Sequence, residues 1–286
     1  MIRKAADIKL KVLPVFAHAE HLYYYEGPCR MAGGDALQPG FDDLLNGQIE
    51  NGLMTALRYA CPSEAAVIME PNTVSVTDDW DLKDSYMETL LREQEKTDVY
   101  FIFTSFGADR LWREFGRKCG KPVIIVPNIW NPMKSAYYFN MGVETYTPYD
   151  WEELTEYLRA LRARKALAQA NVLLITRFND PLSVAGADDS FVNLAQVTEK
   201  FGTEFRPINF HEFMEQLNPM PEGGNSTTPG RVTQNLTEQE IAELGEMADK
   251  LMAEAESCDI SKEYLVNSLK AWKLVNKYLD YYDCSA

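Results

Sequence analysis

The stretch VYFIFTSFGADRLWREFGRKCGKPVIIVPN, residues 99–128, predicts the fold of this chain. Apolar runs stand at both of its ends, and between them Leu111, Trp112 and Phe115 recur at the spacing of a helix face. A short continuous apolar run is typical of a strand buried on both faces, and a helix between two such strands is the crossover of a parallel sheet. The stretch therefore predicts an α/β fold.

The same alternation extends to both sides of this stretch. Further predicted strands are KLKVLPVFAH (9–18), AAVIME (65–70), NVLLITRF (171–178) and TEFRPINF (203–210). Further predicted helices lie at 81–96, from Asp150, near 187–200, from Thr237 and from about residue 260. Because 286 residues exceed what one core usually needs, and the pattern restarts near residue 170, we place a domain boundary there. The prediction is two Rossmann-like (flavodoxin-like) parallel-sheet domains, residues 1–170 and 171–286.

The second predicted domain combines a long polar segment with two long helices. The run at 218–235 is rich in Pro, Gly, Ser and Thr, which predicts a mobile loop. Thr237 and Glu240 have the spacing of a capping box at the start of the first long helix. The predicted buried faces are Ile241, Leu244, Met247 and Leu251 on this helix, and Leu265, Leu269, Trp272, Val275 and Tyr278 or Leu279 on the last one.

The last ten residues, KYLDYYDCSA (277–286), complete the final helical pattern. In a parallel α/β sheet such a helix leads the chain to a further strand. Only Cys284, Ser285 and Ala286 follow the aromatic run. We therefore expect the second domain to be incomplete at its C-terminus.

The charge and composition of the chain disfavour several classes of binding partner. The net charge of -15 repels phosphate backbones and disfavours nucleic acid as a partner. The N-terminus does not have the pattern of a signal peptide, and nowhere do eighteen apolar residues run together, so a cytoplasmic protein without a membrane partner is predicted. The five cysteines form no CxxC pair, which favours neither a disulfide framework nor a zinc site.

Candidate binding residues follow the predicted strands, because ligands of open α/β sheets bind beyond the carboxyl ends of the strands. Polar and aromatic groups are mixed there. A sugar needs both, since its hydroxyls form hydrogen bonds and its apolar face stacks on a ring. The candidates for sugar contacts are His18, Glu20, Thr104, Ser105, Phe106, Trp130 and Arg177.

The segment HAEH (18–21) brings two histidines and a carboxylate together. Such groups bind transition metals or move protons, but the spacing matches no established metal motif, and a polar loop leaving a strand remains the alternative. His211 precedes Glu212, yet position 215 is Glu215, so the zinc motif HExxH is excluded. Neither GxxxxGK[ST] nor GxSxG occurs. The chain shows no complete catalytic set.

Four segments together resemble the L-arabinose isomerase and L-fucose isomerase superfamily. They are FIFTSFGADRLW (101–112), NVLLITRF (171–178), FGTEFRPINFHEF (201–213) and YLDYYDCSA (278–286). The likeness lies in their order and spacing, with few identities. It covers the N-terminal region of the family's members.

The resemblance implies a cytosolic homo-oligomer that takes part in aldose–ketose isomerisation through an enediol, with a divalent metal, commonly manganese, as Lewis acid. The family's metal ligands lie downstream of the matching region, so the resemblance implies that no residue of this chain is catalytic or binds the metal, and that the chain alone is inactive. It further implies that the first domain helps to close the sugar pocket of a neighbouring subunit, with His18, Thr104, Ser105 and Trp130 as position-based candidates.

Two other classes of function remain open. A non-catalytic sugar-binding or sensory module also joins two α/β domains, and it would bind a sugar without converting it. A flavodoxin-like electron carrier needs a phosphate-cradling loop after the first strand, and AHAEHLYYY (17–25) does not resemble one.

Overall fold

The computed structural model describes residues 7–19, 41–76, 82–103, 108–127, 132–176, 194–222 and 232–285. The chain separates into two compact units. The first unit is Ile8–Lys165, and the second is Ala166–Ala286 with Met1–Asp7.

The described part of the first unit alternates strands with helices. Its strands are β1 Leu10–Ala19, β2 Ala66–Ile68, β3 Asn72–Val76, β4 Val99–Phe103, β5 Val123–Ile125 and β6 Thr145–Tyr146. Its helices are α1 Phe41–Ala60, α2 Asp84–Leu90, α3 Asp109–Lys118, α4 Pro132–Asn140 and α5 Trp151–Ala168, with a short 3₁₀ turn at Gln94–Lys96.

The strands of the first unit form one six-stranded sheet with parallel pairing throughout. β1 pairs with β4 on one side and with β2 and then β3 on the other, since Val12 has partners in both β2 and β4, and Val15 in both β3 and β4. Counted as one interrupted strand, β2 and β3 give the order 2-1-3-4-5 of flavodoxin-like sheets. The predicted α/β class with a parallel, Rossmann-like sheet is confirmed for this unit.

β1 lies at the centre of the unit because both of its faces are apolar. Leu13 and Val15 pack into a core with residues of α2 and α3, whereas Val12 and Phe16 pack into a second core with residues of α1 and α5. Side chains alternate between the faces of a strand, so one apolar segment supplies both cores. Helices consequently cover both sides of the sheet.

The helix predicted over 81–96 is shorter than expected. α2 ends at Leu90, and Glu93 has a left-handed backbone with φ of 69°. Asn72, buried at the start of β3, donates from Nδ2 to the carbonyl oxygens of Leu90 at 3.4 Å and Arg92 at 3.0 Å. These bonds satisfy carbonyl groups that have no partner within the helix, and they stabilise its early end.

Four elements of this unit were not predicted, namely α1, β3, α4 and β6. α1 contains Gly47 and Gly52, which are poor helix formers and weaken its pattern. β3 has the sequence NTVSV, in which Thr73 and Ser75 alternate with buried valines, so it is no continuous apolar run. β6 is only two residues long. Tertiary packing stabilises these segments more than their intrinsic preferences do.

The described part of the second unit contains one parallel pair of strands. β7 Asn171–Thr176 and β8 Glu204–Asn209 pair from Asn171↔Glu204 to Thr176↔Asn209. The helices are α6 Leu194–Phe201, α7 Phe210–Glu215, α8 Glu238–Glu254 and α9 Lys262–Tyr282. Two parallel strands with α6 between them form a βαβ unit, and a complete second Rossmann-like domain stays a prediction. No helix in the described ranges is both long and apolar enough to cross a membrane.

Gln216 anchors the end of the segment predicted as a mobile loop. Its buried side chain donates from Nε2 to the Val232 carbonyl at 3.2 Å and accepts at Oε1 from the Gln234 N–H at 2.5 Å. Its own carbonyl accepts from the Leu236 N–H at 3.1 Å. Residues 223–231 lie outside the described residues, so mobility there stays a prediction.

The predicted capping box at the start of α8 is confirmed. Thr237 Oγ1 accepts from the Glu240 N–H at 3.1 Å, and Glu240 Oε2 accepts from the Thr237 N–H at 2.8 Å. Lys277 on α9 also donates to Glu240 Oε2 at 3.1 Å. One carboxylate therefore caps α8 and ties it to α9.

The predicted buried faces of α8 and α9 are partly wrong. Leu244 and Ala248 are the buried residues of α8, whereas Met247 and Leu251 are exposed. On α9, Leu274 and Tyr278 are buried and Trp272 is exposed. Leu269 and Val275 are partly buried beside the same core. Both helices are apolar over more than one face, so their sequences alone do not select the face that packs.

The segment after α9 lies beside the first residue of β7. Asp283 ends the helix in a left-handed conformation with φ of 51°. The Ser285 N–H donates to the Asn171 carbonyl at 2.8 Å, and Asn171 Nδ2 donates to the Asp283 carbonyl at 3.0 Å. An incomplete second domain stays a prediction.

A buried hydroxyl without a partner generates a first stability prediction. In the described part of the chain, the hydroxyl of Tyr100 on β4 is buried and makes no hydrogen bond. Such a group carries an unrecovered desolvation cost of about 1–3 kcal/mol. Tyr100→Phe is therefore expected to leave the free energy of unfolding unchanged or to raise it by up to about 1 kcal/mol, as measured by urea denaturation.

The matched control is Tyr138→Phe in the same core. The Tyr138 hydroxyl donates to the Trp112 carbonyl at 2.8 Å, so its removal is expected to lower the free energy of unfolding by about 1 kcal/mol. Equal destabilisation by the two substitutions would contradict this account of Tyr100.

The Glu240 carboxylate predicts a pH dependence of the second unit. Burial alone would raise its pKa, but the hydrogen bonds from Thr237 and Lys277 and the charge of Lys277 outweigh burial, and the pKa of Glu240 lies below its ordinary value. Its contribution to stability is thus complete above the unfolded pKa of about 4.3 and is lost as the pH falls through the folded pKa. Glu240→Gln should reduce stability by about 1 kcal/mol at pH 7 and by less at pH 3.

Hydrogen–deuterium exchange of the backbone amides of α8 and α9 in the whole chain provides the measurement, because it reports opening of the second unit separately from the first. Glu246→Gln makes the same change of charge at an exposed position of α8 and serves as the control. A stability difference that is the same at pH 7 and pH 3 would refute the role of the Glu240 charge.

Candidate functional site

The candidate site lies at the carboxyl edge of the first unit's sheet. In open parallel sheets this edge binds ligands, above all where the strand order reverses. Here the order reverses at β1, which has β3 and β4 as its neighbours. His18 is the penultimate residue of β1 and stands at this edge.

His18 contacts a carboxylate of the helix that covers the sheet. Because side chains alternate along β1, His18 shares a face with Val12 and Phe16, the face on which α1 packs. His18 Nε2 lies 2.7 Å from Oε2 of Glu50 on α1. Such a distance is that of a strong, charge-assisted hydrogen bond.

Thr73, on a third element, contacts the same carboxylate as His18. Its Oγ1 donates to the same atom, Glu50 Oε2, at 3.1 Å. Thr73 lies on β3 directly beside Phe16 of β1, and therefore on the same face of the sheet as His18. We name His18, Glu50 and Thr73 the edge cluster.

The edge cluster is partly buried and remains accessible. The side chains of His18 and Glu50 keep 21% and 20% of their surface exposed, so a small molecule can reach both. Within the described residues, neither lysine nor arginine forms an ion pair with Glu50. Among the described residues, the imidazole of His18 and the hydroxyl of Thr73 hold its carboxylate.

This arrangement determines which atoms face a ligand. An ionised carboxylate only accepts hydrogen bonds, so His18 donates to Glu50 through Nε2–H. Nδ1 of the neutral ring then carries the lone pair. The edge cluster thus offers an acceptor at Nδ1 and a negative charge at Glu50, which suit hydroxyl groups and the transfer of a proton.

Of the seven predicted contact residues, the structure describes His18. The others, Glu20, Thr104, Ser105, Phe106, Trp130 and Arg177, lie outside the described residues. Their sequence positions, after β1, β4, β5 and β7, remain the basis for considering them. Their part in a sugar site stays a prediction.

Sequence reasoning missed Glu50 and Thr73. The signal for Glu50 was a helical stripe, since Asn46, Glu50, Met54 and Leu57 follow at spacings of four, four and three. Asn46, Met54 and Leu57 are buried. A carboxylate in such a stripe needs a partner inside the fold. Thr73 gave no comparable signal, because one threonine in a strand is common.

The edge cluster does not fit a manganese site. Manganese takes about six ligands, mostly oxygen. The described residues contain no group of three His, Cys, Asp or Glu side chains placed to hold a metal. His18 and Glu50, the two that lie together, are hydrogen-bonded to each other. The chemistry of the edge cluster is therefore that of its own imidazole, carboxylate and hydroxyl groups.

The described cysteines near the cores are poor nucleophiles. Burial raises the pKa of the Cys61, Cys119 and Cys284 thiols, and for Cys61 the charge of Glu64 adds to this effect. The reactive thiolate forms less readily as the pKa of a thiol rises. The raised pKa therefore disfavours a nucleophilic role for these three thiols.

Charged groups at the opposite edge of the sheet have structural partners. Asp98 precedes β4 and accepts from the Lys11 N–H at 2.7 Å and from Lys165 Nζ at 2.6 Å. Lys165 also donates to the Lys9 carbonyl at 2.9 Å. These bonds attach α5 to the start of the sheet.

Comparison with known proteins does not extend these observations. The chain matches no protein-family model, and no curated protein matches its sequence. The resemblance to the sugar isomerases, the cytoplasmic location and the homo-oligomer accordingly stay predictions.

The geometry predicts that the edge cluster stabilises the first unit. Glu50→Ala leaves the Nε2–H of His18 and the hydroxyl of Thr73 without their shared acceptor. The free energy of unfolding is expected to fall by about 1–2 kcal/mol in urea denaturation. Glu88→Ala, at an exposed position of α2, is the control, and an equal effect of both would contradict the importance of these bonds.

Proposed function

We propose that the first unit binds a sugar at the carboxyl edge of its sheet, as part of an aldose–ketose isomerase-like protein. The single observation that carries the proposal is the edge cluster, where His18 and Glu50 meet at 2.7 Å beside the point at which the strand order reverses. Five residues predicted from the sequence come directly or shortly after strands of this sheet along the chain: Glu20, Thr104, Ser105, Phe106 and Trp130.

A sugar is the ligand class that this chemistry favours. Each sugar hydroxyl donates one hydrogen bond and accepts others. Nδ1 of His18 and the exposed part of the Glu50 carboxylate are both acceptors, which fit the hydroxyl protons of adjacent carbon atoms. A phosphate or carboxylate ligand is disfavoured, because the net charge of -15 and the Glu50 carboxylate would repel it.

In this proposal the chain's own residues bind and orient the sugar. A divalent metal such as manganese would act as Lewis acid for the enediol chemistry of the whole protein. Because the described residues do not supply its ligand set, the role proposed for the first unit is to hold the sugar and exclude water. The proposal also includes a homo-oligomer in which the edge cluster helps to close the pocket.

Isothermal calorimetry with His18→Gln tests this proposal. The whole chain is titrated with aldoses, including L-arabinose and L-fucose, with and without manganese. Loss of the imidazole should weaken sugar binding about tenfold, the effect of losing a hydrogen bond of about 1.4 kcal/mol. His211→Gln, the same substitution on α7 of the second unit, is the matched control and should bind as the wild type does.

The outcomes separate the possible functions. Binding by the wild type that weakens in His18→Gln but not in His211→Gln supports the site. Absence of binding to every sugar in the panel would refute the proposal. Aldose–ketose conversion in the presence of manganese would exclude a non-catalytic sugar-binding module. Binding without conversion fits both that module and the proposal, because the described residues supply no ligand set for a metal.

A further inference from the structure

We infer that the edge cluster opens the ring of a reducing sugar, with His18 as the base and Glu50 and Thr73 as positioning residues. This inference rests on the proposed sugar site and adds a chemical step to it. The step needs a base that is oriented and accessible, and the cluster supplies one at the edge where β1 ends.

The tautomer of His18 follows from its partner. An ionised carboxylate only accepts hydrogen bonds, so a neutral imidazole whose Nε2 lies 2.7 Å from Glu50 Oε2 carries its proton on Nε2. Nδ1 is then the basic atom. None of the described residues forms a hydrogen bond with Nδ1, so none of them takes the place of a ligand at this atom.

Glu50 also compensates the charge that the reaction creates. When Nδ1 takes up a proton the ring becomes a cation, and the carboxylate at 2.7 Å stabilises it. No lysine or arginine of the described residues neutralises this carboxylate. In this arrangement the Glu50 carboxylate orients the imidazole of His18, which acts as the base.

Thr73 fixes the position of the carboxylate oxygen. Its hydroxyl donates at 3.1 Å to the same Oε2 that accepts from His18. A glutamate side chain otherwise rotates about several bonds, and a second donor from a strand restricts that rotation. Thr73 thus acts on the reaction through Glu50 and does not touch the sugar.

The step is balanced without a metal or a redox partner. Nδ1 removes the proton of the anomeric hydroxyl, the C1–O1 bond becomes a carbonyl, and the bond between C1 and the ring oxygen breaks. The ring oxygen takes a proton from water, and the hydroxide that remains takes the proton from Nδ1–H. The product is the open-chain sugar, and closure on the other face of the carbonyl gives the other anomer.

Polarimetry of freshly dissolved crystalline L-arabinose and L-fucose tests the inference. The whole chain should accelerate the approach to anomeric equilibrium in weakly buffered solution. His18→Gln is expected to lower kcat for this reaction about 100-fold, the effect of losing a general base. His211→Gln should leave kcat and KM unchanged.

Substitutions of the positioning residues are distinguished by their effects on kcat and KM. Thr73→Val should lower kcat more than it raises KM, since Thr73 acts through Glu50 and is not expected to contact the sugar. Glu50→Gln should lower kcat and also raise KM, because the carboxylate accepts from sugar hydroxyls as well. Thr73→Ser keeps the hydroxyl and should restore most of the rate lost in Thr73→Val. If Thr73→Ser and Thr73→Val behave alike, the positioning role is refuted.

A ¹⁵N NMR measurement gives a readout that does not depend on the sugar. The ring nitrogens of His18, assigned by their absence in His18→Gln, should show the Nε2–H tautomer in the wild type. This preference should be lost in Glu50→Gln, because an amide donates as well as accepts. An Nδ1–H tautomer in the wild type would overturn the inference.

Failure of the inference differs from failure of the proposed function. Calorimetric binding of sugar without acceleration of anomer exchange overturns the inference and leaves the sugar site intact. Absence of binding to any sugar overturns both. Acceleration that persists at the wild-type rate in His18→Gln would place the base elsewhere and would also refute the inference.

Discussion

The burial of β1 on both faces is the constraint on which the first unit depends. A strand that is hydrogen-bonded on both edges and covered by helices on both faces has to be apolar along its length. β1 meets this condition from Val12 to Ala17 and then changes to His18. The side chain that follows this apolar run is therefore an imidazole, and it stands at the edge where parallel sheets bind ligands.

A partly buried imidazole and carboxylate have to satisfy each other. Glu50 reaches His18 because it lies in the stripe of α1 that packs on the sheet, one turn before Met54. The same packing that buries the apolar residues of α1 thus brings a carboxylate to the end of β1. The same hydrogen bonds therefore have two effects. They satisfy the partly buried Glu50 carboxylate, and they orient the imidazole of His18.

The sequence predicted the strands well and the helix faces less well. Each predicted strand is present because its apolar run is short and bounded by polar residues. The capping box of Thr237 and Glu240 is likewise local, because its partners are three residues apart. By contrast, Met247 and Trp272 are exposed although they stood on predicted buried faces, because the face of a broadly apolar helix is selected by its neighbours.

The sequence by itself determined the α/β class of the first unit, its parallel strands and His18 as a residue at a strand end, because these follow from local periodicity and from the rule that parallel strands end at one edge. Only the tertiary structure decided that Glu50 and Thr73 join His18. These residues are separated by 32 and 23 positions along the chain, and no periodicity relates them. Their meeting depends on how α1 packs on the sheet and on the register between β1 and β3.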